Sequence, residues 1–485
     1  MDIRFSGSRS ETAPLTWGQR AIWDTIRKTA PDDHYFNFGR VLAVPGRARP
    51  LTVAGAAEVL RALVERHESL RTRLGEAPYG KAGRANGTEP YGKVVHTSGA
   101  EPYGKVVRAS GAEPYGGGAR EGGGAEPWQV LATGGSIPVT VSEGGDPERL
   151  RDTLAETAFD YGNEWPLRIG LVVDRGEVTH IVLVFCHLAA DGLGAEVAVT
   201  DLRLLLLRGS VPGPPPPSPL ELARWQGSEQ GLKVAAIAAE HWASEYRRIP
   251  PTMFDRRAGV PADPPIWRAH LVSRAMDLAV RRIAALSGTS TSTVLLAAAA
   301  TLTGRVTGHD VSAMLPIVGN RFRGDTVNAV TTLSQEGLFV LDLREGGFTE
   351  LLRAARPAAL RAYRSAYHDP DDRDRLTERA GRERGVRIHP YCCFNDMRFT
   401  DRADASPDER SVRRALDETT LTWPLSQERL NCRFCLHVTG EPGGLGVSLT
   451  ADTGYLPRPA MERYLLDLES LLVEAAFREV LEPVG

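Results

Sequence analysis

Residues 181–192 read IVLVFCHLAADG and carry the sharpest local signal in the chain. The first six of these residues are apolar, and a continuous apolar run of this length is typical of a strand buried on both faces of a sheet. The run then breaks into His187-Leu-Ala-Ala-Asp191-Gly192, and residues 193–207 follow with the pattern of a helix. We therefore predict a central strand that ends in a histidine-bearing turn and leads into a helix.

The turn that follows this strand is a candidate catalytic site. A histidine that leaves the end of a central strand has its backbone fixed by the sheet, so its ring can be aimed at a substrate. Gly192 can take a positive φ and lets the backbone turn tightly or approach a ligand. On these residues alone an alternative stays open, in which His187 is a core histidine satisfied by a neighbouring group.

Strand and helix patterns alternate on both sides of this turn. Predicted strands in the N-terminal half lie at 70–74, 128–134, 136–143, 166–174 and 178–186, and predicted helices at 51–67, 147–159 and 193–207. Predicted strands in the C-terminal half lie at 311–319, 338–343, 391–397, 432–439 and 446–452, and predicted helices at 229–248, 277–286, 290–306 and 457–477. This mixture predicts an α/β (α+β) protein with two lobes, each a sheet backed by helices.

A proline run divides the chain. Residues 211–219 read VPGPPPPSP, which forms a stiff extended spacer in place of helix or sheet. We therefore predict an N-terminal lobe over 1–210, a linker over 211–219 and a C-terminal lobe over 220–485. The chain has 485 residues, a length that suits two lobes better than one core.

The N-terminal lobe contains a repeat insertion at 76–127. Units such as EPYGKVVHTSGA and EPYGKVVRASGA recur with a period of twelve residues. Each unit offers little apolar surface, and solenoid repeats start at about 20 residues. The segment is predicted to be a duplicated, flexible surface loop, and the alternative is a docking tether for a partner protein.

Composition and charge exclude several classes of protein. The formal net charge is −3, so a polyanion-binding field is not expected and nucleic acid is excluded as a partner. The N-terminus lacks an apolar signal region and no stretch of about 18 apolar residues occurs, which predicts a cytoplasmic protein without membrane contact.

Five cysteines do not make a disulfide framework. Cys432 and Cys435 form a CxxC, but the segments around the cysteines read as strands, on which residues three apart point to opposite faces. We therefore expect Cys432 and Cys435 to face opposite sides, and we expect buried thiols and no metal site.

Several segments together resemble a known family. CHLAADG at 186–192 is similar to the HHxxxDG signature of nonribosomal peptide synthetase condensation domains, which belong to the chloramphenicol-acetyltransferase-like superfamily. The opening segment 14–23 resembles the family's AQxRLW pattern, RHESLRT at 66–72 matches its RHExLRT segment, and Gly319-Asn-Arg321 resembles a Gly-Arg segment of the second lobe. The resemblance covers most of the chain except the repeats.

The resemblance implies an architecture and a chemistry. It implies two acetyltransferase-like lobes in a V-shaped pseudo-dimer, with the active site in a tunnel between them. It also implies amide or ester formation from thioesters held on the 4'-phosphopantetheine arms of peptidyl or acyl carrier proteins. The chain itself would then bind no cofactor and would act as a monomer.

The resemblance also assigns roles to residues of the turn. His187 takes the place of the active-site histidine, and Gly192 would offer its N–H near the reacting carbonyl. Asp191 would be structural, paired with an arginine, for which Arg321 is the candidate and Arg323 and Arg20 are rivals.

Three further residues are candidates for lining the tunnel. They are Trp17, Gln19 and Asn328, with a core position as the alternative for Trp17.

The sequence departs from the family pattern at two places. The first histidine of the signature is Cys186, and because adjacent strand residues face opposite ways, Cys186 should enter the core while His187 faces the tunnel. A nucleophilic role for Cys186 is the disfavoured alternative, because no second base lies beside it in sequence. The stretch 325–338 keeps the family's GxFVNT pattern poorly, which puts the choice of donor and acceptor in doubt.

The function expected from these features is a free-standing condensation-type acyltransferase in natural-product biosynthesis. It would join a carrier-bound acyl or aminoacyl thioester to an amine or a hydroxyl acceptor. Two alternatives stay open. One is a non-catalytic module that recruits carriers or tailoring enzymes, and the other is an acyltransferase that uses coenzyme A thioesters.

Overall fold

The computed structural model of this protein describes residues 1–76, 126–344, 346–398, 402–430 and 432–478. The twelve-residue repeats at 77–125 lie outside the described residues. The described strands are β1 (Asp2–Ser6), β2 (Glu11–Pro14), β3 (Phe38–Ala43), β4 (Thr72–Gly75), β5 (Trp128–Leu131), β6 (Gly134–Glu143), β7 (Leu167–Asp174), β8 (Glu177–Phe185), β9 (Ile266–Ser273), β10 (Val311–Val318), β11 (Gln335–Glu336), β12 (Phe339–Asp342), β13 (Cys392–Asp396), β14 (Thr420–Gln427), β15 (Phe434–Glu441) and β16 (Gly444–Asp452).

Helices lie between these strands in both halves of the chain. They are α1 (Trp17–Thr29), α2 (Val53–Arg66), α3 (Pro147–Ala155), α4 (Gly192–Arg208), α5 (Pro219–Gln226), α6 (Glu229–Tyr246), α7 (Arg274–Ser287), α8 (Thr291–Thr307), α9 (Phe348–Arg364), α10 (Pro370–Arg384), α11 (Glu409–Ala415) and α12 (Arg458–Ala475). The α/β fold class is therefore confirmed.

The N-terminal half is built on a five-stranded sheet. Its strands lie in the order β1-β6-β7-β8-β3, with β6 and β7 parallel and the other neighbours antiparallel. Ile181, Leu183 and Phe185 of β8 pack into a core shared with α2 and α4. The alternate residues Val182 and Val184 pack on the other face with side chains of α1 and α3. Both faces of β8 are thus covered, which explains its continuous apolar sequence.

The C-terminal half is built on an eight-stranded sheet. Its strands lie in the order β11-β10-β13-β15-β16-β9-β14, and β12 also pairs with β10. One face forms the larger hydrophobic core, to which Phe394, Phe434, Leu449 and Leu271 contribute side chains that are 0–2% exposed. Helices α7, α8 and α12 cover this face. The alternate residues of the same strands face away from this core.

A third sheet contains three strands, which all come from the N-terminal half of the chain. Its order is β2-β5-β4, and all its pairs are antiparallel. Residues 211–218 form neither helix nor strand, and Pro219 then begins α5, which packs against β2. The chain after the proline run therefore still contacts the N-terminal half.

Most predicted elements occur, and the structure adds others that were not predicted, among them β1, β3, α1 and α9. The helix predicted at 51–67 is α2, and the strand predicted at 178–186 is β8, each displaced by one or two residues at its ends. The prediction missed β9 and β14, whose exposed or cavity-facing residues interrupt the apolar pattern with Arg268, His270 and several threonines. A strand with one polar face gives a weaker signal than one buried on both faces.

The cysteines correct one detail of the sequence analysis. All five are free, and four of them, Cys186, Cys392, Cys432 and Cys435, are buried. Strand β15 begins only at Phe434, so Cys432 lies before it and the two members of the CxxC do not alternate across a strand. Both line the same cavity. The expectation that they face opposite sides was therefore wrong.

Two further features of the described residues concern metal binding and membranes. No group of three or more histidine, cysteine, aspartate or glutamate residues in this part of the chain is arranged to hold a metal ion. Among the described helices, none by itself has the length and hydropathy of a bilayer-spanning segment, and only α7 and α8 counted together, with a 107° bend between them, reach those values.

The hairpin β4–β5 yields a test of the repeat insertion. Gly75 and Trp128 are register partners at its open end, so the chain leaves and re-enters the sheet at adjacent positions. Replacing residues 77–125 by Asn-Gly leaves a five-residue connection, which is a common hairpin length. We expect the shortened protein to fold, with a thermal unfolding midpoint within a few degrees of the full chain. A large fall in that midpoint, measured by circular dichroism, would contradict this expectation.

Candidate active site

His187 lies immediately beyond β8, in the turn that joins this strand to α4. The N–H of Cys186 donates to the Pro166 carbonyl at 3.0 Å, and the carbonyl of His187 accepts from the Thr332 hydroxyl. The Phe38 ring lies edge-on to the imidazole, with centroids 5.4 Å apart and planes at 66°. The sheet, one hydroxyl and one aromatic ring therefore hold the histidine in place.

The imidazole of His187 lines a cavity of about 1710 Å³. Phe38 and Gly192 of the N-terminal half line it as well, and one face of the eight-stranded sheet forms the floor of the cavity. The Nδ1 atom of His187 is buried and has no hydrogen-bond partner in another described residue. Its Nε2 atom also makes no hydrogen bond there and is not among the buried polar atoms. The ring therefore presents Nε2 to the cavity.

Asp191 is held by a dense set of donors. Arg321 donates from Nη1 to Oδ2 at 2.9 Å and from Nη2 to Oδ1 at 2.6 Å. The N–H of Gly194 donates to Oδ1 at 2.8 Å, and the N–H groups of Leu333 and Ser334 each donate to Oδ2 at 3.0 Å. The Ser334 hydroxyl adds a further bond to Oδ2 at 2.8 Å. The carboxylate has no acceptor capacity left for a catalytic proton.

The charge state of Asp191 follows from these contacts. Burial alone would raise its pKa, but the Arg321 guanidinium and the hydrogen bonds outweigh burial and hold the pKa below its ordinary value. The arginine expected as partner is thus the one present. The rivals lie elsewhere, because Arg323 pairs with Asp325 and Arg20 pairs with carboxylates at the start of α10.

The imidazole is neutral at physiological pH. Burial lowers the pKa of His187 below its ordinary value, and its own backbone carbonyl and the charge of Asp191 oppose this shift only in part. A neutral imidazole with an open Nε2 can accept a proton from a substrate. The arrangement is therefore suited to a general base.

The segment Thr331–Ser334 is the part of the site that sequence reasoning missed. Its Thr331 carbonyl accepts from the N–H of Asp191 at 3.4 Å and from Arg321 at 3.2 Å. Its Thr332 and Ser334 side chains bind His187 and Asp191, as described above. This segment lies inside 325–338, the stretch that matches the family pattern poorly. The run of hydroxyl residues TTLS was the available signal.

Gly192 has a helical backbone conformation. It is the first residue of α4 and is not among the glycines with positive φ, so the positive φ that a glycine allows is not used there. Asp191 caps this helix, and its side chain accepts from Gly194. In the described part of the chain, the N–H of Gly192 has no acceptor, as is usual for the first turn of a helix. A Cβ at Gly194 would lie 3.1 Å from the Thr331 carbonyl oxygen, so this glycine permits the close approach.

Cys186 lies in the core just after β8 and does not line the cavity. It is 2% exposed and packs with Ile26, Phe159 and Leu188. Burial raises the pKa of its thiol to about 12, so the thiolate is scarce at neutral pH. This position and charge state argue against a nucleophilic role.

The three residues expected to line the tunnel do not reach the cavity. Trp17 is 4% exposed and packs edge-on against Tyr367, with ring centroids 4.9 Å apart. Gln19 is buried, closes the cap of α1, and donates from Nε2 to the Leu188 carbonyl at 3.2 Å. Asn328 is exposed on the surface and outside the cavity lining. Of these, only Gln19 contacts the turn that carries His187, through the Leu188 carbonyl.

Comparisons with known proteins agree on the fold. No family model and no curated protein sequence matches the chain. Solved structures do match over almost its whole length. The condensation domain of the monacolin K polyketide synthase MokA has a TM-score of 0.66 at 16% identity, covering 96% of this chain and 98% of that one.

Two synthetase domains match with a TM-score of 0.63. The first condensation domain of the calcium-dependent antibiotic synthetase is 15% identical and covers 96% of each chain. The epimerization domain from the third module of tyrocidine synthetase B is 13% identical and covers 97% of each chain. This protein therefore has the condensation-domain fold, which the sequence analysis had predicted.

The Asp191–Arg321 pair yields a stability prediction. Arg321→Ala leaves a buried carboxylate uncompensated, and we expect it to lower the free energy of unfolding by about 3–5 kcal/mol. Urea denaturation followed by tryptophan fluorescence measures the loss. The matched control is Arg379→Ala, which removes a surface ion pair with Glu383 and should cost less than about 1 kcal/mol. Equal losses in the two variants would contradict the structural role of Arg321.

Proposed function

We propose that this protein is a condensation-type acyltransferase. It transfers an acyl or aminoacyl group from a carrier-protein thioester to an amine or hydroxyl acceptor, and the partner carriers present the thioester on 4'-phosphopantetheine. The observation that carries the proposal is the neutral His187 ring, which is held at a strand end and open to a cavity lined by both halves of the chain. The condensation-domain fold supports this activity and a role with carriers in natural-product synthesis, and the proposal places the protein in the cytoplasm.

The proposed reaction assigns one proton to His187. As the acceptor attacks the thioester carbonyl, its nucleophilic atom gives a proton to Nε2 of the neutral imidazole. The tetrahedral intermediate then collapses, breaks the carbon–sulfur bond, and the departing thiolate takes the proton back from the imidazolium. The backbone N–H of Gly192 at the start of α4 is the candidate donor to the oxygen that becomes negative.

The acceptor decides how much this proton transfer matters. An α-amine with a pKa near 8 is already about one-tenth neutral at pH 7, a handicap of about 1.4 kcal/mol. Holding the two reactants together can contribute about 7–11 kcal/mol, so an amine depends chiefly on positioning. A hydroxyl is far less acidic and needs the base as it attacks.

Replacement of His187 tests the proposal. We expect His187→Ala to slow ester formation by about 100-fold or more and amide formation by less than about 10-fold, because only the hydroxyl needs a base. The measurement is mass-spectrometric detection of product from acyl-loaded carrier proteins with matched amine and alcohol acceptors.

A histidine on the same strand provides the matched control. His180 of β8 is half-buried and does not line the cavity, so His180→Ala should leave both rates unchanged. Equal losses with both acceptors in His187→Ala would refute the base assignment. Carrier binding without turnover in the wild type would favour a non-catalytic module that recruits carriers or tailoring enzymes. Turnover with coenzyme A thioesters alone would favour an acyltransferase that uses coenzyme A thioesters.

The lowered pKa of His187 also predicts a pH profile. The base is the deprotonated ring, so the rate of ester formation rises as pH rises through the pKa. Because burial lowers that pKa, we expect the midpoint of the ascending limb below the ordinary value of 6.5. The limb should be absent in His187→Ala. A midpoint above 6.5 in kcat/KM for an alcohol acceptor would contradict the assignment.

A further inference from the structure

The floor of the cavity is one face of the eight-stranded sheet. Adjacent strands place their side chains in lateral rows because their register is fixed. Two such rows face the cavity or its margin: Leu315, Cys393, Cys435, Thr450 and Arg268, and then Asn395, His437, Ser448 and His270. The floor therefore carries several polar groups and one cation, on strands whose other face is the hydrophobic core.

Arg268 is the cation of this floor, and its guanidinium donates hydrogen bonds to two uncharged hydroxyl groups. Its Nε donates to the Thr450 hydroxyl at 2.8 Å, and its Nη2 donates to the Tyr35 hydroxyl at 2.9 Å. In the described residues no carboxylate lies within ion-pair distance of Arg268. A guanidinium has five N–H groups, so three remain, both on Nη1 and one on Nη2. These are the N–H groups that a carboxylate binds in a bidentate arrangement.

Other charged groups that line the cavity contrast with Arg268. Its half-buried or buried arginines outside the sheet floor have carboxylate partners, as Arg40 has Glu196 and Arg373 has Glu336 at 3.0 Å. The cations of the lining that have no carboxylate partner in the described chain are otherwise exposed to solvent, and they are Lys28, Arg402 and Arg429. A hydrated cation needs no counter-ion, whereas a half-buried one is stabilised by an anion.

The neighbours of Arg268 do not supply that anion. Burial, and then the charge of Arg268, lower the pKa of His437 to about 4, so its ring is neutral. The Nδ1 atom of His270 lies 2.8 Å from the Ser448 hydroxyl, which is neutral as well. Burial raises the pKa of Tyr35, so its phenol stays protonated beside the guanidinium. The groups next to the Arg268 guanidinium thus carry no negative charge.

We propose that Arg268 binds the carboxylate of an untethered acceptor, an amino acid or a hydroxy acid, in this cavity. The proposal rests on the proposed function, which makes the cavity the substrate site. A substrate delivered on a carrier has its α-carboxyl group in the thioester, so an α-carboxylate in the cavity comes from an acceptor that is not tethered, and it is this α-carboxylate that we assign to Arg268. A planar monoanion also matches the three free N–H groups of a single arginine.

A binding experiment tests this assignment without turnover. Saturation-transfer NMR compares the proteinogenic amino acids and their hydroxy-acid analogues with the corresponding primary amides. We expect at least one acid to bind the wild type about 10–100-fold more tightly than its amide, as charged hydrogen bonds imply. Arg268→Gln should lose this preference and Arg268→Lys should retain part of it. Arg463→Gln, which removes an exposed arginine of α12, should retain all of it.

A second arm separates this inference from the proposed function. With acyl-loaded carriers and the acid that binds, Arg268→Gln should raise KM by about 10–100-fold and change kcat little. Carboxylate preference without any turnover would support the Arg268 site and refute the acyltransferase. Turnover without any carboxylate preference, or a preference that survives in Arg268→Gln, would overturn the Arg268 site. Circular dichroism of each variant excludes loss of fold as the cause.

Discussion

The buried ion pair between Asp191 and Arg321 holds the site together. Asp191 belongs to the turn after β8, and Arg321 follows β10 of the other half, so the pair joins two segments 130 residues apart. The carboxylate also caps α4 and accepts from the segment Thr331–Ser334. Its desolvation would be costly without these donors, and each donor is therefore constrained in position by the same charge. One carboxylate thus fixes a helix start, a loop and an arginine relative to each other.

Among the described residues, His187 therefore has no carboxylate that accepts a hydrogen bond from its ring, because Asp191 is bound by Arg321. In a Ser-His-Asp arrangement the aspartate orients the imidazole and stabilises its charged form. Here Asp191 is fully engaged by Arg321 and backbone donors, and the position of His187 depends on β8, Phe38 and the Thr332 hydroxyl. Burial lowers the pKa of the His187 imidazole, and the charge of Asp191 opposes this shift only in part, so the ring stays neutral. It is suited to take a proton briefly from an acceptor, and less suited to hold a lasting positive charge.

The sequence predicted the parts of this site that depend on local pattern. The apolar run 181–186 predicted β8 because burial on both faces leaves a continuous signal, and strand alternation predicted that Cys186 enters the core. Arg321 was predicted only through a family resemblance, since no local rule joins it to Asp191. Gln19 and Asn328 do not line the cavity as predicted, and Trp17 takes the core position given as its alternative. Whether a loop or helix residue reaches a cavity depends on packing between distant segments. The Thr331–Ser334 segment was missed because several of its contacts are made by backbone groups, which any sequence supplies, and because the hydroxyls of Thr332 and Ser334 meet their partners only through packing of distant segments.

The floor of the cavity extends this reasoning to substrate choice. Strand β9 reads IWRAHLVS, in which Ala269 and Leu271 enter the core while Arg268 and His270 face the cavity. The period of two is present in the sequence, yet it predicts only that one face is polar, since a solvated surface and a binding surface share the same pattern. What distinguishes them is the partner of each charge. Surface arginines are solvated or paired, whereas Arg268 is half-buried, oriented by two neutral hydroxyls and without a carboxylate in the described chain. A sheet that must be rigid to support a core can therefore also hold one uncompensated charge in a fixed position, and the cost of keeping it there is recovered only when an anion binds.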